Sequence, residues 1–161
     1  MSDEKDHMPI LEQRRIEANV IKPIYDEMVE HLGKEKAQEI LGNAIIKAAI
    51  AQGAAFAAEA EGDGPPGMEG FLAIRKHWRA NGALEIEDID QSDKVLDFNV
   101  TRCRYSEMYR EMGVGEIGHL LSCNRDGTFC TGFDPRIKLE RTQTIMGGAS
   151  HCDFRYRLEE D

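Results

Sequence analysis

The segment Cys152-Asp153-Phe154-Arg155-Tyr156-Arg157-Leu158 changes side-chain character at every step, with Cys152, Phe154, Tyr156 and Leu158 on one face and Asp153, Arg155 and Arg157 on the other. A period of two marks a half-buried β-strand, so this end of the chain belongs to a sheet with one face on a core. Leu84 and Ile86, and then Leu96, Phe98 and Val100, alternate in the same way across the turn Asp90-Gln91-Ser92-Asp93, which predicts an antiparallel pair. Residues 128–133 and 138–145 are also strand-like in composition, giving an expected sheet of about four or five strands.

Upstream of this region the period is helical. Ile16, Val20, Ile24, Met28 and Leu32 recur every four residues, with Ile21, Tyr25 and Val29 beside them, and form one broad stripe on a helix covering about 10–32. Pro23 lies within it and is expected to kink the helix or break it after Val20. Gly33 closes the segment. A second helix over about 34–59 carries Ala37, Leu41, Ala44, Ile45, Ala48, Ala49 and Phe56, small side chains suited to close helix contact. Glu61-Gly62-Asp63-Gly64-Pro65-Pro66-Gly67 predicts a loop, and a short helix over about 68–80 follows with Phe71, Leu72, Ile74 and Trp78, stopped by Asn81-Gly82. Tyr105, Met108, Tyr109 and Met112 mark another short helix; Gly113 and Gly115 interrupt it before 116–123 resumes. The expected fold is α+β, an N-terminal helical layer packed on a small antiparallel sheet. It is expected to be a single domain with one core, residues 1–82 mainly helical and 83–161 mixed and carrying the site.

Thirty acidic against twenty basic residues give a net charge of −10, which repels a phosphate backbone, so nucleic acid is not expected as a partner. No membrane span and no signal-type segment is expected, because Met1-Ser2-Asp3-Glu4-Lys5-Asp6-His7 is charged and no apolar run follows; the predicted location is cytoplasmic. The four cysteines, Cys103, Cys123, Cys130 and Cys152, all fall in the second half. In a reducing compartment they are expected as buried small hydrophobes, metal ligands or a nucleophile rather than as disulfides. There is no Walker loop, no GxGxxG, no HExxH and no CxxC.

Three constellations could carry chemistry. His119 and Cys123, four apart on a predicted helix, share a face, which suits either two zinc ligands or a base beside a thiol. Gly147-Gly148-Ala149-Ser150-His151-Cys152-Asp153 presents a hydroxyl, an imidazole, a thiol and a carboxylate at a strand entrance. Strand alternation sends His151 and Asp153 to one face and Cys152 to the other, so these neighbours do not make a triad by themselves. Arg141, in the predicted strand, can clamp a carboxylate through parallel N–H donors, with Thr142 beside it. Asn124-Arg125-Asp126-Gly127 predicts a turn with Asp126 as its Asx residue, and Cys130 is most simply a core residue of a strand.

The runs Arg102-Cys103-Arg104-Tyr105-Ser106-Glu107-Met108-Tyr109, Cys123-Asn124-Arg125-Asp126, Gly132-Phe133-Asp134-Pro135, Arg141-Thr142-Gln143-Thr144-Ile145-Met146-Gly147-Gly148 and Cys152-Asp153-Phe154-Arg155-Tyr156 resemble the L-2-amino-thiazoline-4-carboxylic acid hydrolase family. Arg15-Ile16-Glu17-Ala18 with Ile24-Tyr25 is similar to that family's first helix. The resemblance implies a hydrolase that acts on a carbon–nitrogen bond, opening a small cyclic amidine to a carbamoyl product on a route to cysteine. A weaker likeness, to the vinyl-reductase-4 type of ligand-binding domain, implies the same fold and a different role, a non-catalytic small-molecule sensor.

Ring opening needs a nucleophile at the amidine carbon, a proton for the departing ring atom and a countercharge for the carboxylate. Cys152 or Cys123 is the expected nucleophile, since a thiolate beside an imidazole would be populated at neutral pH. His119 or His151 is the expected base and acid, Asp153 the residue that orients an imidazole or holds the amidinium, and Arg141, Arg155, Asp126 and Thr142 the substrate-binding set. If zinc supplies the nucleophile instead, Cys123, His119 and Cys152 are its candidate ligands. The expected partner is a small-molecule substrate, with a homo-oligomer possible through the helical half.

Overall fold

A computed structural model describes residues 8–60 and 62–160. Five helices and four strands follow in the order α1 (Ile10–Leu32), α2 (Lys34–Glu59), α3 (Gly67–Arg79), β1 (Leu84–Gln91), β2 (Val95–Cys103), α4 (Arg104–Glu111), α5 (Arg125–Phe133), β3 (Ile137–Glu140) and β4 (Cys152–Leu158). The sheet is antiparallel throughout, in the order β1-β2-β4-β3. The α+β architecture is therefore as expected, with the helices mostly N-terminal and packed on one face of a four-stranded sheet.

Helix α1 runs unbroken through Pro23, so the break after Val20 that was one of two expected outcomes does not occur. The missing N–H of Pro23 costs one backbone hydrogen bond at an exposed position, while Ala18 and Tyr25 on either side are buried and hold the axis. The buried face also differs from the expected stripe. Ile16, Val20, Ile24 and Leu32 are exposed, and the core face is Ile10, Arg14, Ala18 and Tyr25. Gly33 ends the helix with φ 84, a left-handed conformation that a residue without Cβ adopts freely, and its N–H donates to the Val29 carbonyl at 2.9 Å.

The close contact expected of α2 is made with α5. A Cβ on Gly53 would lie 2.1 Å from the Phe129 carbonyl oxygen, and one on Gly132 would lie 1.9 Å from that of Ile50. Backbone thus meets backbone at the crossing. Ala37, Leu41, Ile45 and Ala49 are buried, whereas Ala44 and Ala48 face outward. By length and composition α2 is apolar enough to cross a membrane, which the sequence had not suggested, although part of its surface is buried against this packing.

Two further segments differ from expectation. Residues 128–133 belong to helix α5, not to a strand, and the segment 124–127 leads into that helix and forms its first turn instead of a free turn. The Thr128 hydroxyl donates to the Asn124 carbonyl at 2.8 Å, and Phe129 stacks on Phe133 four residues on, with ring centroids 5.7 Å apart. Strand β3 stops at Glu140, so the predicted strand over 138–145 is cut short. Between β3 and β4 the chain makes an irregular loop over 141–151.

Apolar residues form two clusters where a single core was expected. One lies among α1, α2, α4 and the turns after α4; the other joins the sheet to α3 and α5. Trp78, Leu84 and Cys103 border both. Between the two clusters lies the cavity described next.

Candidate functional site

Alternation along β2 and β4 builds one wall. The register pairs Phe98 with Phe154 and Val100 with Cys152, so all four side chains point to the helical side. The Phe98 and Phe154 rings stack at 4.8 Å, a guanidinium lying over each: Arg75 over Phe98 at 5.1 Å and Arg141 over Phe154 at 4.9 Å. Phe71 and Trp78 of α3 and Phe129 of α5 face this wall across a cavity of about 110 Å³. An engineered apolar cavity of about 150 Å³ takes up benzene, so the space is of single-ring size.

The other wall carries charge. Helix α5 begins with Arg125 and Asp126, and both line the cavity. Arg141 Nη1 donates to Asp126 Oδ2 at 2.6 Å, and its Nη2 to the Cys123 carbonyl at 3.1 Å. Burial pushes the Asp126 carboxyl above its ordinary value, with Arg141 opposing the shift. Burial lowers the Arg141 guanidinium, but Asp126 outweighs it and holds that guanidinium above its usual range.

Directly before α5, residues His119–Cys123 form one π-helical turn, a geometry often found at functional sites. The turn buries Leu121, sets Ser122 and Cys123 into the cavity wall and leaves His119 exposed. The Tyr109 and Ser122 hydroxyls are 2.8 Å apart, which fixes the turn against α4.

The predicted site residues thus divide. Cys123, Cys152, Asp126 and Arg141 line the cavity together, and Cys103, not among the expected site residues, joins them. His119, His151, Asp153, Thr142 and Arg155 are not among its lining residues. Asp153 instead accepts the Thr142 and Gln143 backbone N–H groups at 2.9 Å each, and the Thr142 hydroxyl at 2.5 Å. Burial raises its pKa, but those three donors prevail and hold it at about 2. Arg155 donates to the Phe98 and Phe154 carbonyls and to Asn99. The His151 ring lies 2.9 Å from the Ser150 hydroxyl in the loop. The expected pairing of thiol with imidazole is therefore not formed at the cavity.

Burial raises every thiol, Cys103 to about 11 and Cys130 to about 12, with Cys123 and Cys152 shifted the same way. The Ile145 N–H donates to Cys152 Sγ at 3.1 Å and partly offsets the rise there. Cys130 is buried as expected, though on a helix. The suggested zinc ligands do not fit a metal in this arrangement. Among the described residues, the one trio of such side chains with ligand atoms within 4.8 Å of each other is the exposed Glu27, Glu30 and His31.

Sequence reasoning passed over Arg14, Arg75 and Arg125, and with them the contribution of the first half to the site. Arg14 shares a helical face with Ile10, Ala18 and Tyr25, which packing and not the apolar stripe of the sequence makes the buried one.

Comparison with known proteins completes this description. The family model described as L-2-amino-thiazoline-4-carboxylic acid hydrolase matches residues 13–156, and the chain belongs to that family. No curated protein matches the sequence. Among solved structures, the phenol-responsive sensory domain of the transcription activator PoxR, crystallised with phenol, superposes with a TM-score of 0.51 at 14% identity, covering 86% of this chain and 73% of that one. At that identity the likeness concerns the fold alone.

Proposed function

We propose that this protein hydrolyses a small cyclic amidine that bears a carboxylate, of the 2-amino-thiazoline-4-carboxylate type, within the aromatic cavity. The observation that carries the reading is the Asp126–Arg141 pair, two opposite charges at 2.6 Å set in the wall of a largely aromatic and aliphatic space of single-ring size that Arg14, Arg75, Arg79 and Arg125 also line. A cyclic amidine acid carries a cationic amidinium beside an anionic carboxylate, and Asp126, held in place by Arg141, offers the amidinium its partner. Membership of a family described as a hydrolase of this kind supports the reaction class.

In this reading Asp126 is the base. Its carboxylate, poorly solvated and therefore more basic than usual, takes a proton from a water as the oxygen bonds to the amidine carbon. As that bond forms, the C=N π pair moves onto the ring nitrogen, protonated in the amidinium. The carbon–sulfur ring bond, in place of the carbon–nitrogen bond first expected, then breaks while the remaining O–H proton passes to solvent and the carbonyl forms. The sulfur takes the proton back from Asp126 to leave as a thiol. Arg141 holds Asp126 in place and, over the Phe154 ring, fixes the plane of the site. Cys123 and Cys152 remain thiols and shape the pocket, replacing the thiolate first expected. Such an activity suits a cytoplasmic enzyme that opens a heterocyclic precursor to a carbamoyl compound on a route to cysteine.

One observation favours a second reading, ligand binding without turnover: neither His119 nor His151 is among the cavity's lining residues, and its thiols are protonated. Incubation with 2-amino-thiazoline-4-carboxylate, followed by mass spectrometry for the carbamoyl product and titration of the released thiol, separates the two. Product formation at a rate proportional to protein is expected. Saturable binding with no product on prolonged incubation would establish the sensor reading instead.

A further inference from the structure

Arg14 of α1 is buried and Arg125 of α5, far from it in the sequence, is partly buried, their side chains 4% and 11% exposed. They share one carboxylate. Arg14 Nη1 lies 2.9 Å from Glu17 Oε1, and Arg125 Nη2 lies 3.5 Å from the same oxygen. Both arginines are among the residues that line the cavity, whereas Glu17 is not, and Arg125 Nε donates to the Leu121 carbonyl at 2.7 Å. Two cations over one shared anion leave one positive charge in excess in a poorly solvated place, in a chain whose net charge is −10. Such a charge is costly unless an anion meets it. Arg125 behaves accordingly: burial, and then the neighbouring Arg14, lower its pKa.

We propose that the Arg14–Arg125 pair is the subsite for the ligand's carboxylate, and that the cavity therefore selects planar single-ring acids over their neutral counterparts. This rests on the cavity being the ligand site, as given above. It divides the polar wall in two: Arg14 and Arg125 take the carboxylate, and Asp126 with Arg141 takes the opposite, cationic edge of the ring. A guanidinium fork matches a carboxylate in two parallel hydrogen bonds, which a carboxamide does not reproduce.

The test uses two probes on the full chain, thiazole-4-carboxylate and thiazole-4-carboxamide, with affinities measured by calorimetry. The acid is expected to bind at least about tenfold more tightly, from hydrogen bonds between charged groups. In Arg125→Met and Arg14→Met that preference is expected to fall below about threefold. Should either variant fail to fold, Glu17→Gln gives the opposite sign: removing the competing carboxylate is expected to raise acid affinity about threefold or more, with amide affinity unchanged. Equal binding of acid and amide by the unaltered protein overturns the proposal. So does a preference that survives in both arginine variants, or a Glu17→Gln protein no tighter for the acid. If neither probe binds, the cavity reading falls along with it. If the acid binds as expected but the thiazoline substrate is not turned over, the anion subsite stands and hydrolysis does not.

Discussion

Asp126 and Asp153 are both aspartates with close partners in the second half of the chain, and the fold gives them opposite chemistry. Asp153 is the second residue of β4, receives three hydrogen bonds from Thr142 and Gln143 of the preceding loop, and is held at about 2. Asp126 lies in the cavity wall, where burial pushes it above its ordinary value despite Arg141. Partners that donate N–H and O–H groups stabilise a carboxylate for structure, while desolvation makes one reactive. Strand β4 therefore holds a strut for the loop before it, and in the proposed function the cavity holds a base.

The largest effect that could break this contrast is on turnover. Asp126→Asn is expected to lower ring opening by at least about 100-fold, the usual range for loss of a general base, with circular dichroism unchanged. Asp153→Asn is expected to remain within about threefold of the unaltered rate, because its partners do not reach the cavity. Equal losses in both would show that the loop belongs to the catalytic machinery.

Stability should reverse the order. Asp153→Ala removes the acceptor of two backbone N–H groups and a hydroxyl and is expected to cost about 1–3 kcal/mol in urea unfolding. The pH dependence follows in sign. A carboxylate whose folded pKa is depressed contributes stability that is present above its unfolded value of about 3.9 and lost as pH falls toward the folded one. The acid limb of a stability profile down to about pH 2 should therefore flatten in Asp153→Asn. For Asp126, with a raised folded pKa, ionisation works against folding, and protonation as pH falls through that value relieves the strain. Its titration should instead appear as an acid-side fall in turnover, at a pH above the ordinary aspartate range.

The smallest expected effect concerns the thiols. Cys123→Ser and Cys152→Ser are each expected to keep the rate within about fivefold, since a protonated, buried thiol is a poor nucleophile at neutral pH. Alkylation of both by iodoacetamide should be slow at pH 7 and accelerate above about pH 9. A loss beyond about 100-fold in either serine variant would restore covalent catalysis and move the reactive centre from Asp126 to the sulfur.

Strand β4 was legible because its seven residues alternate without exception, and the first two helices because their apolar residues repeat at helical spacing. The orientation of α1 was not. Ile16, Val20 and Ile24 make the more apolar stripe, yet tertiary packing buries the face that carries Arg14 and Ala18. Residues 128–133 contain threonine, phenylalanine and glycine, a strand-like set, and become helical because Gly132 allows the backbone of α2 to press against them. The strand predicted through 141–145 ends early because the N–H groups of Thr142 and Gln143 turn to the Asp153 carboxylate instead of a neighbouring strand. At the site, Cys123, Cys152, Asp126 and Arg141 were nameable from local motif chemistry. The arginines of the first half were not, because only the packing of α1 and α3 against the rest brings them to the cavity.

The backbone contact at Gly53 and Gly132 has a consequence for how this architecture can change its ligand. Two helices already touching through main-chain atoms cannot approach further, and any side chain added there forces them apart, so α5, which carries Arg125 and Asp126, stands at a fixed distance. The facing wall is different in kind: β1 is an edge strand with two register shifts, and its Leu84 and Ile86 reach the cavity without being fully buried. Relatives that take larger or smaller rings should therefore differ at β1 and α3 while the charged helix stays in place, so that molecular size and reaction chemistry evolve on separate walls.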